Sequence, residues 1–168
     1  MNCKSPFLSA CITFEAGPAH VDSAYRDLKR DMNPGYVHVF MDKLQRYARK
    51  PDRALFLVKY QNNCIAFATI IDNAPVPNEL PGEQTAPLTR YSCGTGLMVL
   101  PEFQKKGVAS LLVNQWELWS RQKGLPGIWL VTKKMGGWYK KYFNYQHVEV
   151  ISCKGVKKTI LKKCFLVK

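Results

Sequence analysis

Between Leu97 and Ser110 the chain reads Leu-Met-Val-Leu-Pro-Glu-Phe-Gln-Lys-Lys-Gly-Val-Ala-Ser, an apolar strand-like stretch closed by Pro101 and followed by a helical pattern. The chemistry such a junction offers is anion binding. The first turn of a helix leaves backbone N–H groups without internal partners, and the positive end of the helix dipole adds to them. Gly107 lets the backbone approach a phosphate or pyrophosphate closely, and the small Ala109 lets the helix lie near it. Lys105 and Lys106 add charge from the side, and Ser110 offers a hydroxyl donor. On residue type alone the segment also reads as an ordinary strand, loop and helix with solvated lysines.

Val99-Leu100-Pro101 and Gln104-Lys105-Lys106-Gly107-Val108-Ala109 together resemble motif A of the GNAT acetyltransferases, in which an apolar V-x-P continues into Q/R-x-x-G-x-G/A. The resemblance implies that main-chain amides of Gln104, Lys105, Lys106, Gly107, Val108 and Ala109, with Ser110 adjacent, hold the pyrophosphate of acetyl-coenzyme A. It also implies that Leu97, Met98 and Val99 form the strand whose backbone pairs with the pantetheine arm. Pantetheine contains two amides and can add to a strand edge much as a peptide does.

Downstream, Trp138-Tyr139-Lys140-Lys141-Tyr142-Phe143-Asn144-Tyr145 resembles the second conserved region of the same family. There the resemblance implies that Tyr139 gives a proton to the departing coenzyme A thiolate, with Tyr142 one helical turn onward as the fallback. By residue type both tyrosines read as amphipathic packing residues. Asn144 stands where the family usually has glycine, one residue later than usual, and asparagine still tolerates a left-handed helix cap. Many relatives carry a cofactor-touching asparagine after the preceding short strand; here Thr132, Lys133 and Lys134 occupy that place.

A lysine-like acceptor amine, with a pKa of about 10.4, must lose a proton before it attacks a thioester. Many relatives place a glutamate near the strand entering motif A, but Tyr91 to Gly96 contains no carboxylate. Glu79, Glu83 and Asp72 are the acids that a folded-back loop would bring near, and each also reads as solvated charge. A water relay or an acceptor of low pKa would dispense with a base. Cys93 has no evident activating neighbour, so direct attack on bound acetyl-coenzyme A is preferred to a covalent acyl-enzyme.

The elements that position these groups follow from periodicity. Strands are predicted over 10–15, 54–60, 64–72, 91–99, 127–132, 147–153 and 159–167, and helices over 21–32, 36–49, 104–123 and 137–143. Gln61, Asn62 and Asn63 suit a tight hairpin, and the proline-rich segment 73–90 reads as a long surface connection. Consecutive strands flanked by helices define an α+β fold with a mixed sheet, not a doubly wound parallel one. The resemblance implies the GNAT acyltransferase fold, a mostly antiparallel splayed central sheet with flanking helices, over a single domain of residues 1–168.

With 168 residues the chain can bury a core without staples, and its 46% apolar content excludes a disordered class. The net charge of +13 favours anionic partners such as phosphorylated cofactors or nucleic acid. Six scattered cysteines (Cys3, Cys11, Cys64, Cys93, Cys153, Cys164) show no zinc-ligand spacing around His20, His38 or His147, so no metal is expected. The absence of a leader or an apolar run of membrane-spanning length predicts a reducing cytoplasm. The expected activity is acetyl transfer from acetyl-coenzyme A to a primary amine in a ternary complex, by a monomer or homodimer. The acceptor is left open between protein, small-molecule and tRNA-linked amines. The competing reading from another class is a non-catalytic module that senses acyl-coenzyme A or binds nucleic acid on the same fold.

Overall fold

The computed structural model describes residues 6–32, 34–75, 90–153 and 155–165, without the side chains of His38, Asn73, Pro75 and Cys153. The elements are α1 (Pro6–Ser9), β1 (Ile12–Glu15), α2 (Val21–Leu28), α3 (Pro34–Arg49), β2 (Arg53–Tyr60) and β3 (Asn63–Pro75), then β4 (Arg90–Val99), α4 (Val108–Gln122), β5 (Gly127–Thr132), α5 (Gly136–Phe143), β6 (Gln146–Cys153) and β7 (Val156–Cys164). The order is the one expected from periodicity, with the short turn α1 added at the front. Glu79 and Glu83, most of the connection 73–90, Cys3, Lys154 and Val167 lie outside the described residues.

Seven strands form one mixed sheet in the order β1-β2-β3-β4-β5-β7-β6. β1–β2, β5–β7 and β6–β7 pair antiparallel, whereas β4 and β5 pair parallel. The parallel pair follows from connectivity, because a helical crossover such as α4 returns the chain to the end from which β4 started. Among the described residues no helix is long and apolar enough to cross a membrane.

The fold divides into two compact units, one containing the residues up to Ile70 with Gly96–Trp116 and the other Ile71–Thr95 with the residues from Glu117 onward. In the first, Gln61 and Asn62 both take positive φ (49° and 67°), as a two-residue hairpin turn of type I′ requires. Leu55, Leu57, Ile65 and Ile70 of that hairpin are fully buried, together with Leu28 of α2 and Phe40 and Leu44 of α3. The predicted helix 21–32 ends early: Lys29–Asp31 tightens into a 3₁₀ turn and Met32 is extended.

In the second unit β7 is flanked by β5 and β6, with Ile128, Leu130, Ile160 and Leu161 buried. The last strand begins at Val156, three residues before the predicted start, because Gly155 at φ 74° turns the chain tightly back from β6. Gly127 begins β5 in a space with no room for a methyl group. A Cβ there would meet the Lys163 carbonyl oxygen at 2.4 Å and the Tyr91 ring at 2.7 Å. Since backbone cannot yield as a side-chain tip does, Gly127→Ala is expected to cost about 2–3 kcal/mol, or roughly 5–10 °C in Tm. A thermal scan within a degree of the parent would refute this.

Candidate functional site

The first unit carries the phosphate-turn candidates. Along β4 the burial changes partway: Tyr91 to Gly94 are buried, Thr95 to Met98 half-buried, and Val99 buried again. The register of β4 with β5 runs only from Ser92↔Ile128 to Gly94↔Leu130. Leu97 and Met98 therefore lie on a stretch of central strand that is less covered than the residues before it, as a strand that takes an added ligand must be.

Where β4 ends, a set of short bonds turns the chain. Leu100 N–H donates to the Ile65 carbonyl at 2.9 Å, Phe103 N–H to Leu100 at 2.9 Å and Gln104 N–H to Pro101 at 3.2 Å. The Gln104 side chain reaches back, its Nε2 donating to the Val99 carbonyl at 3.0 Å. Gln104 thus ties the turn to the strand through its side chain.

The helix expected over 104–123 begins at Val108 and not at Gln104. The physical reason lies in two backbone angles, Lys105 at φ 58° and Gly107 at φ 87°, neither compatible with a right-handed helix. Ser110 and Leu111 N–H groups both donate to the Gly107 carbonyl, at 3.0 and 3.3 Å. Among the described residues the amides of Lys105, Lys106, Gly107, Val108 and Ala109 consequently have no backbone acceptor. Five consecutive donors leading into a 15-residue helix are the kind of arrangement that can bind an anion. The Val108 side chain is buried, so its contribution there is its amide, and Ala109 and Ser110 are half-buried.

The sequence reading missed α1. A Cβ on Gly107 would stand 2.8 Å from Leu8 Cδ1, so one flank of the turn is covered by this N-terminal helical turn. Phe7 stacks with Phe103 (centroids 5.9 Å) and tilts against Tyr60 (4.9 Å). Lys106 Nζ sits over the Phe7 and Phe103 rings at 5.3 and 5.6 Å, which holds its charge beside the turn. The available signal was the apolar pair Phe7-Leu8, which is too short for periodicity to classify. Tyr60 and Phe103 also line a cavity of about 340 Å³ with Arg26 and Arg30.

The second unit carries the acid candidates. Tyr139 is 6% exposed, and burial pushes its hydroxyl up to about 12, so it stays protonated at neutral pH. Its ring meets Trp138 and Tyr145 edge-on at 4.9 and 5.5 Å. Tyr142, the fallback, is 61% exposed. The cap expected at Asn144 is present: its φ is 57° and its N–H donates to the Tyr139 carbonyl. Thr132 Oγ1 accepts the Met135 N–H at 3.1 Å and so supports the approach to α5, while Lys133 and Lys134 are exposed.

Tyr145 is buried, its hydroxyl has no hydrogen-bond partner among the described residues, and burial, with Glu117 and Tyr139 adding, raises its pKa well above the ordinary value. Glu117 is held by Lys163, whose Nζ lies 2.8 and 2.7 Å from its two carboxylate oxygens. Cys93 is buried and its thiol pushed up to about 12 by desolvation, which keeps it in the un-nucleophilic thiol form. Asp72 is half-buried on β3.

Residues 21–145 match the Acetyltransferase (GNAT) family, a match over more than half of the chain. The chain belongs to the GNAT acetyltransferase family. Solved structures similar to it include aminoglycoside 6′-acetyltransferase type Ii, with a TM-score of 0.69 and 17% identity over 94% of this chain and 99% of that one. Arabidopsis thaliana NAA60 in complex with acetyl-CoA superposes with a TM-score of 0.67 and 12% identity over 92% and 98% of the two chains. Ard1 from Thermoplasma volcanium superposes with a TM-score of 0.65 and 14% identity over 94% and 99%. At these identities the likeness is one of fold. No curated protein sequence matches the chain.

Proposed function

We propose that this chain, as one domain over residues 1–168, transfers an acetyl group from acetyl-coenzyme A to a primary amine by direct attack in a ternary complex. The observation that carries the reading is the run of amides from Lys105 to Ala109 that have no backbone acceptor among the described residues, at the end of the half-buried stretch of β4. A diphosphate on those amides sets the pantetheine arm along Val99, Met98 and Leu97, and family membership supplies the reaction class. Support also comes from similar folds: the NAA60 structure contains acetyl-CoA and an AAC(6′)-Iy structure contains CoA.

Tyr139 is the proposed proton donor to the departing thiolate, since burial keeps it a neutral acid. The net charge of +13 favours an acceptor with anionic character, a tRNA-linked amine among them. The proposed compartment is a reducing cytoplasm, in keeping with the free thiols of Cys11, Cys64, Cys93 and Cys164.

The decisive experiment joins calorimetric titration of acetyl-coenzyme A with thiol release across an amine panel that includes charged tRNA. Saturable binding is expected, with release of coenzyme A above the hydrolysis rate for at least one amine. No heat of association would end the cofactor assignment. Binding without release for every amine would favour a sensor of acyl-coenzyme A.

A further inference from the structure

The first unit contains a titratable group that the proposed reaction does not use. Lys43 lies on α3, and its Nζ reaches the middle of β4: a Cβ on Gly96 would stand 2.8 Å from Lys43 Nζ, 2.9 Å from Thr69 Oγ1 and 3.6 Å from the Phe67 ring. The amine thus lies close against the strand at a position without a side chain. Lys43 Nζ also lies 5.7 Å from the centre of the Tyr47 ring, on the same helix. The side chain is half-buried and desolvation lowers its pKa, so more of it is neutral at a given pH than of a surface lysine.

The position matters because of the direction in which a cofactor would lie. A diphosphate on the amides of Lys105 to Ala109 is anchored beyond the C-terminal end of β4. An arm running back along Val99, Met98 and Leu97 brings its thioester end toward Gly96, roughly 10 Å from Val99 at the usual rise of a strand. Lys43 Nζ stands beside that residue.

We infer that Lys43 is a self-acetylation site, its ε-amine accepting the acetyl group from the thioester held along β4 when no external amine is present. This rests on the acetyl-coenzyme A reading given above. Once the ammonium has lost a proton to solvent, the nitrogen attacks the thioester carbonyl carbon. The N–C bond forms, the C–S bond breaks, and the leaving thiolate takes up the proton shed by the nitrogen. The products are an amide on Lys43 and free coenzyme A, with no other reactant. The added acetyl group removes a positive charge beside Gly96.

The test is intact-mass and peptide-mapping mass spectrometry of the full chain after incubation with labelled acetyl-coenzyme A, without an amine. One acetyl group on Lys43 is expected, at least tenfold faster than on any other lysine. It should be absent in Lys43→Arg and suppressed by excess coenzyme A, which competes for the bound reaction but not for acetylation in free solution. Labelling of Lys43 that coenzyme A does not suppress, or no faster than that of surface lysines, overturns the inference. Calorimetry on the same sample separates the two readings. Binding of acetyl-coenzyme A with an unmodified Lys43 sinks the self-acetylation site alone, whereas no binding sinks the cofactor assignment and this site with it.

Discussion

Gly107→Asp is expected to weaken acetyl-coenzyme A binding by at least about 100-fold, the equivalent of roughly 2.7 kcal/mol. Gly107 has φ 87° and its carbonyl receives the first two helical bonds of α4, so its backbone lies at the centre of the donor set. Aspartate is among the few side chains that tolerate left-handed backbone, and the contact it would make is with Leu8 Cδ1, a side-chain tip that can shift. The fold is therefore retained while a carboxylate is placed beside the anion. Repulsion between unit charges about 4 Å apart near a protein surface is worth about 4 kcal/mol. Gly107→Ala adds bulk without charge and is expected to lose roughly tenfold or less. Isothermal titration of both variants decides the matter, with thermal scans to establish that each is folded. An aspartate variant that binds within threefold of the parent would remove the turn from the cofactor site.

Tyr139→Phe is expected to lower kcat by about 100-fold or more while the Kd for acetyl-coenzyme A stays within twofold, since general acid catalysis typically contributes 10²–10⁴-fold. The ring is retained, and with it the edge-on contacts to Trp138 and Tyr145, so the thermal midpoint should barely move. Tyr142→Phe, altering a side chain 61% exposed, is the matched control with near-parental turnover. Because burial holds the Tyr139 hydroxyl at about 12, loss of this acid should not reduce kcat below roughly pH 11. The same shift carries a stability consequence of definite sign. The folded protein keeps the proton between the ordinary pKa of 10 and about 12, where the unfolded chain releases it, so this contribution is full below pH 10 and lost as pH rises toward 12. Parental kcat in Tyr139→Phe would transfer the role to another group, Tyr142 first.

The site was legible where it depends on local sequence. Pro101, Gly107 and Ala109 mark a strand-to-helix junction, and the structure has a turn there whose amides find no backbone acceptor among the described residues. The helix start was misplaced by four residues because Gln104, Lys105 and Lys106 are adequate helix formers by type. The positive φ of Lys105 excludes them, and the Gln104 side chain beside it is tied back to the Val99 carbonyl of β4. Asn144 was readable as a left-handed cap because that preference belongs to the residue itself.

Sequence alone determined the element order and the mixed sheet, since periodicity, turn residues and helix-start chemistry act between neighbours along the chain, while the phosphate-binding role proposed for the turn at Gly107 came from the resemblance to the family. Tertiary structure alone decided that Leu8 covers the flank of Gly107, that Lys43 lies beside Gly96, and that Tyr139 is buried where Tyr142 is exposed. The first two contacts join segments far apart in the chain, and the third depends on which face of a short helix is packed. Such choices are made by the competition of whole surfaces for burial, and no local pattern encodes its outcome.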